Sequence, residues 1–197
     1  MISSQDMGIL EAKSYLPRAI LMENAGRAVS QIIRQKLGLK DKRILVVCYH
    51  GNNGSDGFVA ARHLCDEAET DVLFIGDESK LKKEALLNLK KIEHNEKIQL
   101  LADDEVDFDG YDIIIDAILG IGIQGRLNNE ISAVIDDINN SKAYKVSVDI
   151  PSGLDPDTGI VIDKCVNADL IVTFHDLKKG LEKLQDKTIV VDIGLPK

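Results

Sequence analysis

Short apolar runs alternate with stretches of helical periodicity along most of this chain. The runs at 111–116 and 145–149 carry β-branched and apolar residues on both faces. That pattern is typical of strands that are covered by helices on each side of a parallel sheet. Strands are predicted at 43–49, 71–75, 98–101, 112–116, 145–149, 169–173 and 188–192. The alternation with helices therefore predicts an α/β fold with a mostly parallel central sheet.

Two helices are predicted before the first strand. Ser3 or Ser4 can cap a first helix that reaches about Tyr15, Pro17 suits the first turn of a second helix, and Gly38 is a natural stop. We expect these extra N-terminal helices to lie outside the alternating core. The later helices are predicted at 57–68, 79–93, 128–139 and 177–184.

Length and charge limit the classes of function. The 197 residues suit one domain over 1–197, and a net charge of −9 argues against a nucleic-acid surface, which needs basic patches. The three cysteines have no metal-binding spacing and are expected to be reduced. No signal peptide is evident, and no apolar run approaches the ~18 residues of a membrane span, so we expect a cytoplasmic protein.

A glycine- and asparagine-rich segment, 51–57, follows the first predicted strand and precedes a predicted helix. Ligands bind at such strand ends in open α/β sheets, and free N–H groups at a helix start attract phosphate. Its three glycines are expected to adopt positive φ and to allow close approach of a ligand. The spacing matches neither common nucleotide fingerprint. A tight turn with a good helix cap is the structural alternative.

Three more strand ends carry unusual residues. They are the segments 116–126, 149–155 and 173–180. In a parallel sheet these ends lie at one edge, so one crevice would hold asparagines, carboxylates, a serine, a lysine and two glycine loops. The segment 120–125 matches GxGxxG, but it does not follow the first strand, which argues against a dehydrogenase.

Four motifs together identify a family resemblance. GNNGSDGFVAARHL, DAILGIGIQGRL, SVDIPSGLDPDTG and TFHDLKKGL occur in this order and resemble the NAD(P)H-hydrate epimerases, the YjeF N-terminal domain family. The resemblance covers nearly the whole chain. It implies a Rossmann-like three-layer αβα sandwich. It also implies interconversion of the R and S epimers of NADHX and NADPHX, nicotinamides hydrated at C6, so that an S-specific dehydratase can restore the cofactor.

The resemblance also implies site residues. Asp149 and Lys178 are the expected acid–base groups, with Lys179 as the alternative because Leu177 replaces the family's usual proline. A potassium ion is expected at Asn53, Asp116 and Ser152, whose oxygens suit a hard cation. The expected substrate-binding residues are Asn52, Asn53, Gly54, Ser55, Asp56, Gly120, Ile121, Gly122, Ile123, Gln124, Gly125, Arg126 and Asp149.

Other interpretations remain open from the sequence. The same fold could serve as a non-catalytic binding or scaffold module, although such a module would be expected to lose the acid–base and cation residues. The chain could also be the N-terminal half of a bifunctional protein. Family members are often dimers, and the predicted N-terminal helices are expected to supply a homodimer surface through Leu10, Tyr15, Leu16 and Leu21.

Overall fold

The computed structural model of the chain describes residues 1–102, 106–122, 125–161 and 163–196. Seven strands form one sheet in the order β3-β2-β1-β4-β5-β6-β7, and every pair of neighbours is parallel. The strands are Arg43–Cys48 (β1), Glu69–Phe74 (β2), Ile98–Leu101 (β3), Ile113–Ala117 (β4), Tyr144–Val148 (β5), Leu170–Phe174 (β6) and Thr188–Val191 (β7). The predicted strands are confirmed to within two residues at each end, and the sheet is wholly parallel.

Helices cover both faces of this sheet and complete the Rossmann-like αβα sandwich. One face packs against four helices and the other against a single helix, and each face has its own apolar core. The first group is Ser4–Ala12 (α1), Arg18–Leu37 (α2), Asn52–Leu64 (α3) and Lys83–Glu93 (α4), and the second is Asn129–Asn140 (α5). In the described parts of the chain, 3₁₀ segments lie at Glu78–Lys80, Phe108–Gly110 and Lys179–Lys187.

The two N-terminal helices are part of the core, contrary to the sequence expectation. Helix α2 buries Leu21, Ala25, Val29 and Ile33 against the sheet and α3, because these apolar positions recur every three or four residues along one face. Leu21 therefore cannot belong to a dimer surface. The predicted stop at Gly38 is confirmed, with φ of 66° at that residue.

The strand order changes direction between β1 and β4. From β1 the chain proceeds outward to β2 and β3, then returns to β4 on the other side of β1. In sheets of this kind, ligands bind outside the carboxyl ends of the strands at such a switch point. Among the described residues, no helix has both the length and the apolarity to cross a bilayer.

Candidate active site

A cavity of about 370 Å³ opens at the switch point between β1 and β4. Its walls come from the turn after β1, the segment 118–122 after β4, Asp149 after β5 and Phe174 at the end of β6. The start of α4 and Glu11 of α1 close the remaining sides. The predicted convergence of strand ends at one edge is therefore present, and this edge encloses a space large enough for a small ligand.

Helix α3 begins at Asn52, five residues earlier than predicted, so the segment 52–56 forms its first turns. Gly51 is its N-cap and offers no side chain to the first N–H groups of the helix. Asn52 and Asn53 belong to this uncapped turn and line the cavity. The free N–H groups and the positive end of the helix dipole therefore favour an anion at this wall.

None of the three glycines at 51, 54 and 57 adopts positive φ; Gly51, for example, has φ of −87°. Gly54 and Gly57 instead allow close packing. A Cβ on Gly54 would lie 1.8 Å from the carbonyl oxygen of Tyr49, and one on Gly57 would lie 2.5 Å from Cβ of Ala117. Helix α3 can lie this close to the sheet only because both positions lack a side chain.

The five residues of the segment 52–56 face different surroundings. Asn52, Asn53 and Asp56 line the cavity. Gly54 packs on the Tyr49 backbone, and Ser55 is wholly buried, where its hydroxyl accepts a hydrogen bond of 3.0 Å from Asn88 Nδ2. These two residues support the wall from behind.

Asp149 stands at the end of β5 with its carboxyl group held on one side. Its Oδ1 accepts hydrogen bonds from Thr173 Oγ1 at 3.1 Å, from the Phe174 N–H at 3.2 Å and from Lys178 Nζ at 2.5 Å. Within the described part of the chain, Oδ2 has no hydrogen-bond donor, and Asp149 lines the cavity. Asp149 has φ of 65°, a left-handed conformation that is costly for a residue other than glycine.

Lys178, and not Lys179, is the lysine at this site. Lys178 is 0% exposed, and its Nζ also donates a hydrogen bond of 2.8 Å to the Phe174 carbonyl oxygen. Lys179 is exposed and begins the 3₁₀ segment Lys179–Lys187. The buried ion pair between Lys178 and Asp149 leaves the carboxylate anchored by a positive charge that does not itself line the cavity.

Two further carboxyl groups line the same cavity, and their pKa values are raised. Burial raises the pKa of Asp56 well above 3.8, and the nearby charges of Asp149 and Glu11 add to the shift. Burial, followed by the charge of Asp149, also raises the pKa of Glu11. The Asp56 carboxyl is 8% exposed and has no hydrogen-bond partner among the described residues. Burial therefore favours the protonated form of the Asp56 carboxyl group in this cavity.

Asp116 lies fully buried behind the cavity, at the end of β4. Oδ1 accepts from Ser152 Oγ at 2.5 Å and the Ile118 N–H at 3.3 Å, and Oδ2 from Ser147 Oγ at 2.8 Å and the Ser152 N–H at 2.9 Å. Burial raises the pKa of Asp116, and the hydrogen bonds from Ser152 and Ser147 oppose the rise.

Only the first residues of the glycine loop 120–125, which follows β4, are seen to line the cavity in the described part of the chain. Gly120, Ile121 and Gly122 line the cavity, and a Cβ at Gly122 would meet nothing within 4 Å. Gly125 and Arg126 are exposed and stand outside the described lining. Ile123 and Gln124 lie outside the described residues, as does the first part of the charged segment 103–109.

Glu11 is the site residue that sequence reasoning missed. The pattern that could have found it is helical spacing, because Glu11 follows the buried Met7 by four residues and so lies on the same face of α1. The stacked pair of Tyr49 and His50, with ring centroids 3.8 Å apart, also lines the cavity. His50 Nδ1 accepts a hydrogen bond of 3.2 Å from the Asp77 N–H, and burial lowers its pKa.

Comparisons with known proteins agree with this architecture. The bifunctional NAD(P)H-hydrate repair enzyme Nnr of Methanothermobacter thermautotrophicus is 42% identical over 195 residues, which are 92% of this chain and 37% of that protein. The NAD(P)H-hydrate epimerase of Nitrosopumilus maritimus is 38% identical over 198 residues, covering 97% of this chain and 89% of the relative. The chain thus spans about two fifths of the archaeal bifunctional relatives, such as the 42% of that from Archaeoglobus fulgidus.

A solved structure shares the fold. The crystal structure of the yeast protein ynu0, YNL200c, superposes with a TM-score of 0.86, covers 98% of this chain and 87% of the yeast chain, and is 22% identical in sequence. The family model described as YjeF-related protein N-terminus matches residues 18–180, which hold every site residue discussed above except Glu11. The chain belongs to the YjeF-related protein N-terminus family.

Proposed function

We propose that this protein is an NAD(P)H-hydrate epimerase, an isomerase that interconverts the R and S epimers of NADHX and NADPHX. The observation that carries the proposal is the pair of Asp149 and Lys178 beside a cavity at the switch point of the sheet. Epimerisation at a carbinolamine carbon needs a proton to be moved at oxygen or nitrogen near neutral pH. An anchored carboxylate with one free oxygen is suited to that step.

The two oxygens of the Asp149 carboxyl group have different roles in this proposal, because all of its hydrogen bonds from described residues go to Oδ1. Oδ1 is held by Thr173, the Phe174 N–H and Lys178, so the carboxylate cannot rotate. Oδ2 remains available to take and return a proton at the substrate. Asp56 lines the same cavity, and burial raises its pKa and so favours the form that can donate an O–H hydrogen bond there. A carboxyl group whose pKa is raised by burial is suited to act as a general acid.

The energetic cost of this site favours an enzyme over the non-catalytic scaffold. Burying an ion pair is often neutral or unfavourable compared with apolar packing. The left-handed conformation of Asp149 adds a cost of about 1–3 kcal/mol. A scaffold would gain nothing from either feature, whereas an acid–base site uses both to direct the carboxylate.

The proposed reaction can be tested with matched variants. This protein is given the R-epimers of NADHX or NADPHX together with an S-specific dehydratase. The dehydratase converts the S-epimer that forms, and the NADH or NADPH that it regenerates is followed by its absorbance at 340 nm. Asp149→Asn and Lys178→Met are expected to lose about 10²–10⁴-fold in kcat. Asp155→Asn and Lys179→Met are the controls, because Asp155 bonds only within its own loop and Lys179 is exposed.

Two results would contradict the proposal. One is a wild-type protein that does not accelerate conversion above the spontaneous rate. The other is equal activity of Asp149→Asn and Asp155→Asn, which would leave Asp149 as a turn residue only. The same assay compares the two substrates, since their relative kcat/KM values give the preference between NADHX and NADPHX.

A potassium ion at Asn53, Asp116 and Ser152 is a second part of the proposal. The side-chain amide nitrogen of Asn53 is buried and has no hydrogen-bond partner among the described residues, and exchanging the amide oxygen and nitrogen would place an oxygen there. A cation beside Asp116 would also stabilise its ionised form and so oppose the effect of burial, which raises the pKa of Asp116. The Ser152 hydroxyl would then have to turn its proton from Asp116 to the Leu119 carbonyl oxygen, 3.3 Å away.

Thermal melting tests the ion without measuring activity. We expect potassium chloride to raise the melting temperature of the protein above its value in choline chloride at equal ionic strength, because a bound ion stabilises the folded state. Asn53→Ala should abolish this difference while keeping the fold, since the Asn53 amide nitrogen makes no hydrogen bond within the part of the chain that the structure describes. Equal melting temperatures of the wild type in the two salts would exclude the site.

Two partners follow from the same proposal. The bifunctional relatives are named as NAD(P)H-hydrate repair enzymes, which supports coupling of this domain to an S-specific dehydratase. A homodimer is proposed through exposed apolar residues of α1 and of the α1–α2 region. These residues are Ile9, Tyr15, Leu16 and Ile20.

A further inference from the structure

The N-terminal segment pairs with the backbone on both sides of Lys178. The Ile2 N–H donates a hydrogen bond of 2.9 Å to the Leu177 carbonyl oxygen, and the Lys179 N–H donates one of 3.2 Å to the Ile2 carbonyl oxygen. Together these bonds form a parallel β-bridge between Ile2 and Lys178. Ile2 is only 9% exposed and belongs to the apolar core, so this contact is built into the fold.

Neighbouring contacts hold this segment in place. The Ser4 N–H and hydroxyl both donate to the carboxylate of Asp157, at 2.7 Å and 2.5 Å. Ser3 caps α1 by accepting from the Asp6 N–H, and Met7, in the first turns of that helix, is 1% exposed. The bridge is therefore fixed by anchors that do not involve Lys178 itself.

The main chain around Lys178 is also held by bonds within its own segment. The Leu181 N–H donates a hydrogen bond of 3.0 Å to the Lys178 carbonyl oxygen, and the Leu177 N–H donates one of 2.7 Å to Asp176 Oδ1. Lys178 lies between the end of β6 at Phe174 and the 3₁₀ segment Lys179–Lys187, and His175 in this connection has φ of 67°. The Lys178 ammonium group bonds to Asp149 and to the Phe174 carbonyl oxygen. The two Ile2 bonds flank the peptide units of Lys178, so they help to determine where its side chain starts.

We propose that Ile2 is a positioning residue for Lys178, and that residues 2–4 are a strap that holds the lysine against Asp149. The role of the strap in catalysis rests on the proposed epimerase function, whereas its effect on Lys178 does not. It acts through the main chain of Ile2. The strap lies outside the residues 18–180 that match the family model.

The first test measures the chemical reactivity of Lys178 directly. Ile2→Pro removes the N–H that binds Leu177 but keeps the carbonyl that accepts from Lys179. Lysines are labelled with acetic anhydride, and each site is followed by peptide mass spectrometry. Lys178 should be labelled at least about tenfold faster in Ile2→Pro than in the wild type, since a loosened loop exposes a group that is otherwise fully buried.

Lys145 is an internal control in the same samples. It is also buried, at 8% exposure, and its Nζ donates to the carbonyl oxygens of Ser141 and Ala143, far from the strap. Its labelling rate should not change. Ile2→Val retains both backbone bonds and should restore slow labelling of Lys178. Asp157→Ala, which removes the two Ser4 anchors, provides a second variant if Ile2→Pro does not fold.

Kinetics form the second test. Ile2→Pro should lower kcat by about 10- to 100-fold with KM within about twofold of the wild-type value, because displacement of a catalytic group by about 1 Å can have that effect. Unchanged labelling of Lys178 in both Ile2→Pro and Asp157→Ala would overturn the strap. Faster labelling with full activity would overturn the positioning role.

The outcomes also separate this inference from the proposed function. If Lys178→Met is inactive while Ile2→Pro is fully active, the strap does not position the lysine and the epimerase proposal stands. If Lys178→Met is itself fully active, the lysine has no part in the reaction, and both the acid–base pair and the catalytic role of the strap fail.

Discussion

Burial of the Asp56 carboxyl group lowers the free energy of unfolding of the protein at neutral pH. Its pKa in the folded protein is well above 3.8, so the folded state keeps a proton that the unfolded state releases. The free energy of unfolding is then highest below pH 3.8 as far as this group is concerned, and it falls as the pH rises toward the folded pKa. The raised pKa of Glu11 has the same sign.

Asp56→Asn should therefore stabilise the protein, and more so at high pH. The amide has the size of the protonated acid but no charge to bury. We expect the melting temperature of the variant to exceed that of the wild type at pH 8, and the difference to shrink as the pH approaches 4. Asp155→Asn is the control, because hydrogen bonds from Thr158 lower the pKa of Asp155. A variant that melts below the wild type at pH 8 would contradict this interpretation.

At the residue scale, the sequence indicated which residue types lie at the site better than it indicated which way each side chain points. Asp149 and the pair of Lys178 and Lys179 stood out because polar residues at strand ends are unusual in a buried sheet. Only the three-dimensional path of the chain could distinguish the two lysines, since they are adjacent and the connection after β6 is irregular. Glu11 was missed because α1 was expected to lie outside the core.

At the scale of elements, helix α3 depends on glycine for its position on the sheet. A Cβ on Gly54 would lie within 3 Å of three backbone atoms of Tyr49, which cannot move without disturbing β1 and the cavity wall. Gly54→Ala should therefore cost about 1–3 kcal/mol or more in the free energy of unfolding, as overpacking generally does.

Gly8→Ala is the matched control for this prediction. Gly8 lies in α1, and a Cβ there would meet nothing within 4 Å. Alanine should stabilise the protein at this position by about 0.4–1 kcal/mol, because it restricts the unfolded chain and favours a helix. Chemical denaturation of the two variants measures both effects. Equal stabilities would show that α3 adapts to the added methyl group.

The boundaries of the central strands were predictable because β1, β4, β5 and β6 are largely apolar and rich in β-branched residues. The start of α3 was not, because Asn52, Asn53 and Gly54 have weak helix propensity and together indicate a turn. The helix extends through them because its glycines let it pack against β1 and β4, and that packing exists only in the folded molecule.

At the scale of the whole molecule, the alternation of elements predicted a parallel sheet. The order β3-β2-β1-β4-β5-β6-β7 could not be read from spacing, because any strand could in principle return to either side of β1. The switch point, and hence the cavity, follows from that order. The sequence likewise did not distinguish the exposed apolar residues of the α1–α2 region from Leu21, which is buried in the structure.

The proposed homodimer can be tested on this exposed region. Tyr15 is 97% exposed and Ile20 is 45% exposed, and a group of exposed apolar side chains can mark an interaction surface. Light scattering should give twice the chain mass of 21.7 kDa for the wild type and the single chain mass for Tyr15→Glu with Ile20→Glu. Ile160→Glu, at a residue 60% exposed elsewhere, should remain dimeric. A monomeric wild type at micromolar concentration would exclude the dimer.

The bridge between Ile2 and Lys178 joins residues 176 positions apart in the chain. During synthesis at roughly 5–20 residues per second, the first partner must wait about 10 to 35 s for the second to be made. Contacts between such distant residues also form slowly, because a long loop must close first. A ribosome-bound chain that ends before β6 would therefore lack the Lys178 partner of Asp149, and the acid–base pair proposed above would form only after both residues have been made.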